Sequence, residues 1–321
     1  MIFRYFFLLL GTLSSALFGK YDNCEFQFER YTGVCEAAVE QGVSVRYANE
    51  FLLSWKATKR DYRSLKLFSP KKIATHRKNE KRANNKLVKH VPDLVRHLKQ
   101  YKAVYDYAEK KYGVNREIVA AILLKETHLG KVKPKHDAFI VFNTLLRELP
   151  ANSNRNKRLI KMAKNNLVAV MKQCYKEGRV PNECRFESSY AGAVGIPQFM
   201  PQNFGHIEGY KRTRGDLSRM EDAIVSTSRF MHYNGRFKEV IDWNDLPSMP
   251  QVESAWYDYE LANDNASFAH RGKDKKRQCF SCDKPALEQT REVVKKIMRY
   301  NNSSNYAVGV LRIAYDAHKA L

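Results

Sequence analysis

The stretch from Asn115 to Gly130 predicts a helix whose two ends are both marked in the sequence. Asn115 is a residue type that caps helix N-termini by accepting a backbone N–H bond, and Glu117 places a negative charge in the first turn. Gly130 suits the left-handed position that follows many helices. This predicted helix carries Glu126, the main candidate for a catalytic residue.

Glu126 falls on an apolar face of this helix, at helical spacing from Val119, Ile122 and Leu123. A carboxylate among apolar neighbours either finds a partner or keeps its proton with a raised pKa, because ionisation there costs free energy. A raised pKa makes a carboxylic acid a usable proton donor near neutral pH. Buried glutamates are more often simply paired, so the helix alone favours a structural role over a catalytic one.

Residues 1–19 have the layout of a secretory signal peptide. Arg4 precedes an apolar run that ends at Phe18, and small residues lie near its end. A membrane anchor is the alternative, but the run is short for a bilayer span, which takes about 20 residues. We therefore expect export and cleavage, after Ala16 or after Gly19.

The formal net charge of +22 implies an anionic partner or surface. An exported protein meets little nucleic acid, and no nucleic-acid-binding motif is visible, so we expect no nucleic-acid partner. Lys and Arg are dense between Ser69 and Lys102. Such a run is usually a solvated or flexible surface, and electrostatic contact with an anionic wall polymer or a membrane surface is its functional alternative.

Six cysteines in an exported chain predict disulfides. They form three pairs that are local in sequence, Cys24–Cys35, Cys174–Cys184 and Cys279–Cys282, although six cysteines allow 15 connectivities. Cys279 and Cys282 could alternatively form a redox motif, or bind zinc with further ligands such as His270. Neither setting is evident, and structural crosslinks are preferred for all six.

Apolar residues at helical spacing predict further helices, and the 321 residues suffice for one large domain or two smaller ones. The predicted helices run from Pro92 to near Gly113, Phe139 to Leu149, Leu159 to Cys174, Glu221 to Tyr233, Leu287 to Met298 and Tyr306 to Leu321. No sustained strand pattern and no internal repeat is visible. The fold class is therefore predicted to be mainly α.

Residues 187–202 are rich in glycine and proline and predict a constrained loop that other groups can approach closely. Ser189 and Gln198 offer hydrogen bonds, while Tyr190 and Phe199 offer flat apolar faces that suit sugar rings. Alternatively, the two aromatic residues belong to the core and the glycines only turn the chain. A phosphate-binding loop is excluded because no Gly-Lys-Ser/Thr ending and no flanking strand is present.

Three motifs occur in a fixed order: Glu126-Thr-x-x-Gly130, Ser189-Tyr-Ala-Gly-Ala-Val-Gly-x-x-Gln-Phe-Met-Pro201 and Tyr300-Asn-x-Ser-x-x-Tyr-Ala307. Together they resemble the B-type lytic murein transglycosylases, which are bacterial cell-wall enzymes with a lysozyme-like fold. The resemblance implies a lysozyme-like domain of the goose-type or SLT-like kind over residues 91–321. Residues 20–90 would then form an additional helical and basic N-terminal segment.

The resemblance implies an activity, namely cleavage of the MurNAc–GlcNAc β-1,4 bond of peptidoglycan with formation of 1,6-anhydroMurNAc, for wall remodelling or turnover. It implies peptidoglycan glycan strands as the substrate, no cofactor and a periplasmic location. Glu126 would be the single catalytic acid/base. We also expect a monomer.

The resemblance further implies six substrate-binding residues. Ser189 and Gln198 would hydrogen-bond the sugar or position the attacking hydroxyl, and the aromatic residues would line the groove. These aromatic residues are Tyr190, Phe199, Tyr300 and Tyr306.

Three features depart from the family pattern. Leu129 precedes Gly130 where the family often has an aromatic residue, and Pro197 precedes Gln198 where it usually has glycine. Founding members carry an acidic, calcium-loop-like insertion, whereas the matching residues 206–219 are rich in Gly and Arg. A hard cation needs several oxygen ligands, so no metal is expected.

Two alternatives stay open beside the transglycosylase interpretation. A hydrolytic muramidase would use Glu126 to activate water, and a noncatalytic peptidoglycan-binding protein would keep only the groove. The usual glycosidase mechanism needs two carboxylates. The nearest second candidate is Asp137, which we expect to be a surface residue.

Overall fold

The computed structural model describes residues 23–253, Trp256 and residues 285–321. The predicted signal peptide and the predicted Cys279–Cys282 pair lie outside these residues. Within them the fold is mainly α, as predicted from the sequence. No helix in this described part is long and apolar enough to cross a membrane.

The chain divides into two compact units. Unit 1 takes the described residues up to 69, together with 134–194 and 199–204, and unit 2 takes 70–133, 195–198 and the described residues from 205 onwards. No limit of either unit falls at residue 91, where the sequence analysis places the start of the lysozyme-like domain.

Unit 1 is built on two neighbouring helices of 11 and 23 residues, which pack against each other and against the N-terminal helices. Its helices are α1 (Glu29–Val39), α2 (Val45–Leu52), α3 (Tyr62–Leu67), α8 (Ala138–Glu148) and α9 (Asn154–Lys176). Two short strands, β1 (His136–Asp137) and β2 (Glu187–Ser188), precede α8 and follow α9. The strands pair antiparallel, with His136 opposite Ser188. Phe51 and Phe139 meet edge to face at 4.8 Å between ring centroids in its core.

Both sequence-local disulfides expected among the described cysteines are present in unit 1. Cys24–Cys35 ties the chain ahead of α1 to that helix, and Cys174–Cys184 closes the turn after α9. A crosslink of this kind stabilises the fold mainly by restricting the unfolded chain.

Unit 2 surrounds one central helix with its neighbours. Its helices are α4 (Pro70–Val88), α5 (Val91–Gln100), α6 (Lys102–Tyr112), α7 (Arg116–Thr127), α10 (Met220–Tyr233), α11 (Pro285–Met298) and α12 (Ser304–Lys319). Every residue of α7 from Ile118 to Leu124 is buried, and α12, α5 and α10 pack on it. A helix that is apolar on all sides is a core helix, so α7 is more deeply enclosed than a single apolar face predicts.

The ends of α7 differ from the prediction. The side chain of Asn115 does not cap the helix; it exchanges two hydrogen bonds of 2.9 Å with the backbone of Ile241. The carboxylate of Glu109 accepts the Arg116 N–H instead, at 2.8 Å. At the other end α7 stops at Thr127, because His128, Leu129 and Gly130 all have left-handed backbone, with φ of 50°, 58° and 78°.

The Lys- and Arg-rich run is not simply a flexible surface. Residues 70–88 form α4, which packs on α12 and buries Asn84 and Leu87. The helix predicted from Pro92 to Gly113 is instead two helices, α5 and α6, separated at Tyr101. Gly113 ends α6 near the predicted position and has left-handed backbone, with φ of 62°.

Candidate active site

Glu126 lies in the last turn of α7, one residue before the helix ends. Tyr306 lies in the first turn of α12, which packs along α7, and its hydroxyl donates a hydrogen bond of 2.6 Å to Oε1 of Glu126. Ser303 caps α12 by accepting the Tyr306 N–H at 3.2 Å. The cap and the helix packing therefore fix the tyrosine that holds the carboxylate.

Burial is the largest influence on the acidity of Glu126 and raises its pKa from 4.5 to about 7. The hydrogen bond from Tyr306 and the positive charge of Lys125 act in the opposite direction, and the negative charge of Glu80 adds to the rise. A carboxylic acid with this pKa carries its proton in about half of the molecules at neutral pH. It can therefore donate a proton and afterwards accept one.

The first motif contacts the short turn formed by residues 195–198. The hydroxyl of Thr127, next to Glu126, donates a hydrogen bond of 2.9 Å to the carbonyl of Ile196. The hydroxyl of Tyr300 donates to the carbonyl of Pro197, and its ring meets Phe230 edge to face at 5.2 Å between ring centroids. Thr127 was not predicted as a site residue, although it stands in the motif.

Gln198 sits in this turn with left-handed backbone, at φ of 53°. Its side-chain amide donates a hydrogen bond of 2.8 Å to the carbonyl of Gly195. Glycine is required at 195, where φ is +71° and a Cβ would lie 2.4 Å from Cβ of Leu217. The structure thus brings four of the predicted site residues into unit 2: Glu126, Gln198, Tyr300 and Tyr306.

The other three predicted residues belong to unit 1. Ser189 closes a tight loop: its N–H donates to the carbonyl of Ala193 at 2.8 Å, and its hydroxyl accepts the Ala193 N–H at 3.3 Å. Tyr190 is partly buried, and burial raises the pKa of its hydroxyl. Phe199 is only 2% exposed, which is the environment of the core alternative rather than of a sugar-facing ring.

Asp137 is not a surface residue, contrary to the sequence-based expectation. Its side chain is only 10% exposed and pairs with Nζ of Lys56 at 3.2 Å. The same carboxylate caps α8 by accepting the Phe139 N–H at 2.9 Å. These two contacts give Asp137 a structural role within unit 1.

A single carboxyl group with a pKa of about 7 in a mainly helical fold suits an enzyme that transfers protons with one acid/base residue. The chain belongs to the transglycosylase SLT domain family, whose profile matches residues 27–315. This range begins well before residue 91, so the family domain also includes most of the predicted N-terminal segment. The recognition of a lytic transglycosylase from the three motifs is confirmed.

Solved structures share this fold at low sequence identity. The lytic transglycosylase Slt35 of Escherichia coli, in complex with bulgecin A, is 20% identical, with a TM-score of 0.62 over 92% of this chain and 94% of that one. SltB1 of Pseudomonas aeruginosa is 19% identical, with a TM-score of 0.58 over 90% and 99% of the two chains.

SltB3 of P. aeruginosa, solved with NAG-anhNAM-pentapeptide, is 17% identical, with a TM-score of 0.58 over 90% of this chain and 79% of that one. Comparison with curated proteins finds no significant match.

Slt35 has also been solved in complex with calcium. In this chain, residues 206–219, which the sequence analysis compares with a calcium-loop-like insertion, do not suit that ion. The buried carboxylate of Asp222 accepts the N–H groups of Tyr210 and Asp216 at 2.8 and 2.9 Å. One of its oxygens also lies 3.7 Å from Arg212 and 3.9 Å from Arg219. A calcium ion needs oxygens free of such donors. No group of three or more metal-ligating side chains occurs in the described ranges.

Proposed function

We propose that this protein cleaves the β-1,4 bond between N-acetylmuramic acid and N-acetylglucosamine in peptidoglycan and forms a 1,6-anhydro ring on the muramoyl residue. The observation that carries the proposal is the partly buried carboxyl group of Glu126, with a pKa of about 7 and a hydrogen bond from Tyr306. A relative of the same fold, SltB3, has been solved with NAG-NAM-pentapeptide and with NAG-anhNAM-pentapeptide.

One carboxyl group can perform both proton transfers of this reaction. Protonated Glu126 gives its proton to the glycosidic oxygen, the C1–O bond breaks, and N-acetylglucosamine leaves as an alcohol. The resulting carboxylate then takes the proton of the muramoyl C6 hydroxyl while that oxygen bonds to C1. The proton of Glu126 is restored and no water is consumed, so the products have the composition of the substrate.

Roles are also proposed for the remaining predicted residues. Gln198 and Ser189 are proposed to hydrogen-bond the sugar or the C6 hydroxyl, and Tyr190 to contact a sugar ring. Tyr306 positions Glu126 through its hydrogen bond, and Tyr300 positions the turn that carries Gln198. Phe199 is 2% exposed and is assigned to the core of unit 1.

The place of action is proposed to be the periplasm, reached through the signal peptide of residues 1–19. The net charge of +22 suits a polyanionic surface, either the wall polymer or the membrane. We propose that the protein works there as a monomer, without a cofactor, in remodelling or turnover of the wall.

The proposal is tested by digesting purified sacculi and identifying the soluble muropeptides by mass spectrometry. The unmodified protein is expected to release products that end in 1,6-anhydromuramic acid, and Glu126→Gln is expected to release none. Glu239→Gln makes the same change at an exposed position of unit 2 and serves as the control. Products with reducing muramic acid ends would indicate a hydrolase, and digestion by Glu126→Gln would remove this residue from the mechanism.

A further inference from the structure

We propose that Lys125, held by Glu80 and Asn84 of α4, is a positioning residue for Glu126 and sets the pH range over which that carboxyl group can act. The proposal deepens the function proposed above and rests on it. It gives the basic helix α4, which the sequence analysis treats as surface, a role in the chemistry of unit 2.

Lys125 holds the same tyrosine as its neighbour Glu126. The side chain of Lys125 is only 8% exposed, and its Nζ lies 4.9 Å from the centroid of the Tyr306 ring. A cation at this distance from an aromatic face is attracted to the ring, most strongly when it is withdrawn from water. The hydroxyl of that ring donates to Glu126. The ammonium group therefore fixes the ring whose hydroxyl fixes the acid.

Helix α4 in turn holds the ammonium group. Nζ of Lys125 donates a hydrogen bond to Oδ1 of Asn84 and lies 3.8 Å from Oε1 of Glu80. The other oxygen of Glu80 accepts a hydrogen bond of 2.8 Å from the hydroxyl of Ser303, which also caps α12. Glu80 is therefore linked both to Lys125 and to the helix terminus that carries Tyr306.

Asn84 can reach this position because residue 309 is glycine. Asn84 is fully buried, and its amide donates a hydrogen bond of 2.9 Å to the carbonyl of Asn305. A Cβ at Gly309 would lie 2.3 Å from Cγ of Asn84. The close approach of α4 to α12 places a hydrogen-bond acceptor against a buried lysine. Because burying an ammonium group without hydrogen-bond acceptors costs free energy, this acceptor stabilises Lys125 in its buried position.

Lys125 and Glu80 influence the pKa of Glu126 in opposite directions. The positive charge of Lys125 lowers it and the negative charge of Glu80 raises it. Among the residues that the structure describes, the other titratable groups that interact with Glu126 are Tyr306 and Tyr300. Both stay neutral because burial holds their pKa values well above the usual value. Burial lowers the pKa of Lys125, whereas Glu80, Glu126 and Glu253 favour its charged form.

The test compares Lys125→Met and Glu80→Gln, which remove opposite charges. The pKa of Glu126 is read from a ¹³C NMR titration of glutamate carboxyl groups, assigned with Glu126→Gln. Lys125→Met is expected to raise this pKa by about one unit and Glu80→Gln to lower it by a similar amount, the lower end of the effect of a nearby charge. The alkaline limb of the rate of muropeptide release should move with it.

Matched controls make the same chemical changes at exposed positions of unit 2, with Lys110→Met and Glu239→Gln expected to leave the pKa unchanged. Lys125→Arg keeps the positive charge, so the pKa of Glu126 should stay at its value in the unmodified protein. A merely structural role would lower the rate without these opposite shifts, and shifts of equal sign or none would overturn the proposal. If Lys125→Met does not fold, the proposal is tested by Glu80→Gln alone, through the expected fall in the pKa of Glu126.

The carboxyl titration does not depend on catalysis. If the unmodified protein released no anhydro products, the proposed function would fail. The NMR titration would still show whether Lys125 and Glu80 shift the pKa of Glu126. Anhydro products together with an unmoved pKa would keep the function and overturn this inference.

Discussion

Tyr306 and Glu126 are joined by a hydrogen bond of 2.6 Å although 180 residues separate them in the sequence. The bond connects the last motif of the chain to the first, because α12 packs along α7 in unit 2. It also opposes the rise of the pKa of Glu126 that burial causes. Tyr306 is only 4% exposed, so solvent competes little for this hydrogen bond.

Replacing Tyr306 with phenylalanine is expected to raise the pKa of Glu126 above 7, because the carboxylate loses a donor that stabilises its charged form. The alkaline limb of the rate of muropeptide release should move to higher pH. The maximal rate should fall about 10-fold or more, since a hydrogen bond to a charged group contributes about 1.5–3 kcal/mol. Rates measured across the pH range test this.

Tyr315→Phe is the matched control for this variant. Tyr315 lies in the same helix, and its ring meets Trp243 at 6.3 Å between centroids. We expect it to leave the pH profile in place. An unchanged profile for Tyr306→Phe would show that the hydrogen bond does not influence the working acid.

Glu126 should make the folded protein less stable as the pH rises. Its pKa is about 7 in the folded protein and 4.5 in the unfolded chain, so the folded state binds its proton more tightly. The stability that this proton contributes is fully present below pH 4.5 and is lost as the pH rises through 7. Glu126→Gln removes this loss.

The expected gain in the free energy of unfolding for Glu126→Gln is on the order of 3 kcal/mol above pH 8, at 1.36 kcal/mol per pKa unit. Near pH 4 the gain should vanish. Denaturant unfolding at the two pH values measures the difference, with Glu239→Gln as the exposed control. A gain of equal size at both pH values would show that the pKa of Glu126 is not raised in the folded protein.

Gly192 is expected to be among the glycines least tolerant of substitution. Its φ is +82°, and a Cβ there would lie 2.3 Å from Cζ of Phe142. Gly178 has a similar φ of +69° but no atom within 4 Å of the added Cβ. Gly178→Ala should cost about 1–2 kcal/mol for left-handed backbone alone, and Gly192→Ala about 1–3 kcal/mol more for the clash. Equal losses of unfolding free energy would contradict the packing at residue 142.

Local sequence signals predicted most of the helices because propensity and periodicity act within a few turns. Pro92 opens α5 and Gly113 ends α6 as expected. The helix that carries Glu126 was predicted as well, but its ends were not. Asn115 pairs with the distant Ile241, so a tertiary contact overrides the local preference for a cap at the first end. At the other end Gly130 has the expected left-handed backbone, but the left-handed turn already begins at His128, two residues earlier.

The candidate site was predicted less completely than the fold. The motifs indicate Glu126 and Tyr306, and within unit 2 the structure brings these two together. Glu80 was missed because it stands in a run of Lys and Arg that has the composition of a solvated surface. Asn84 and Leu87 lie three residues apart on one face of α4, and both are buried. Only the packing of α4 on α12 shows which polar residues it carries inward.

The most direct test of the proposed reaction is digestion of sacculi in water enriched in ¹⁸O, followed by mass spectrometry of the muramoyl ends. Intramolecular attack by the C6 hydroxyl takes no oxygen from solvent. The account therefore predicts anhydro ends without ¹⁸O, each lighter by one water than a reducing end. Reducing ends that carry ¹⁸O at C1, formed at the rate of bond cleavage, would show that water attacks C1 and would contradict the account.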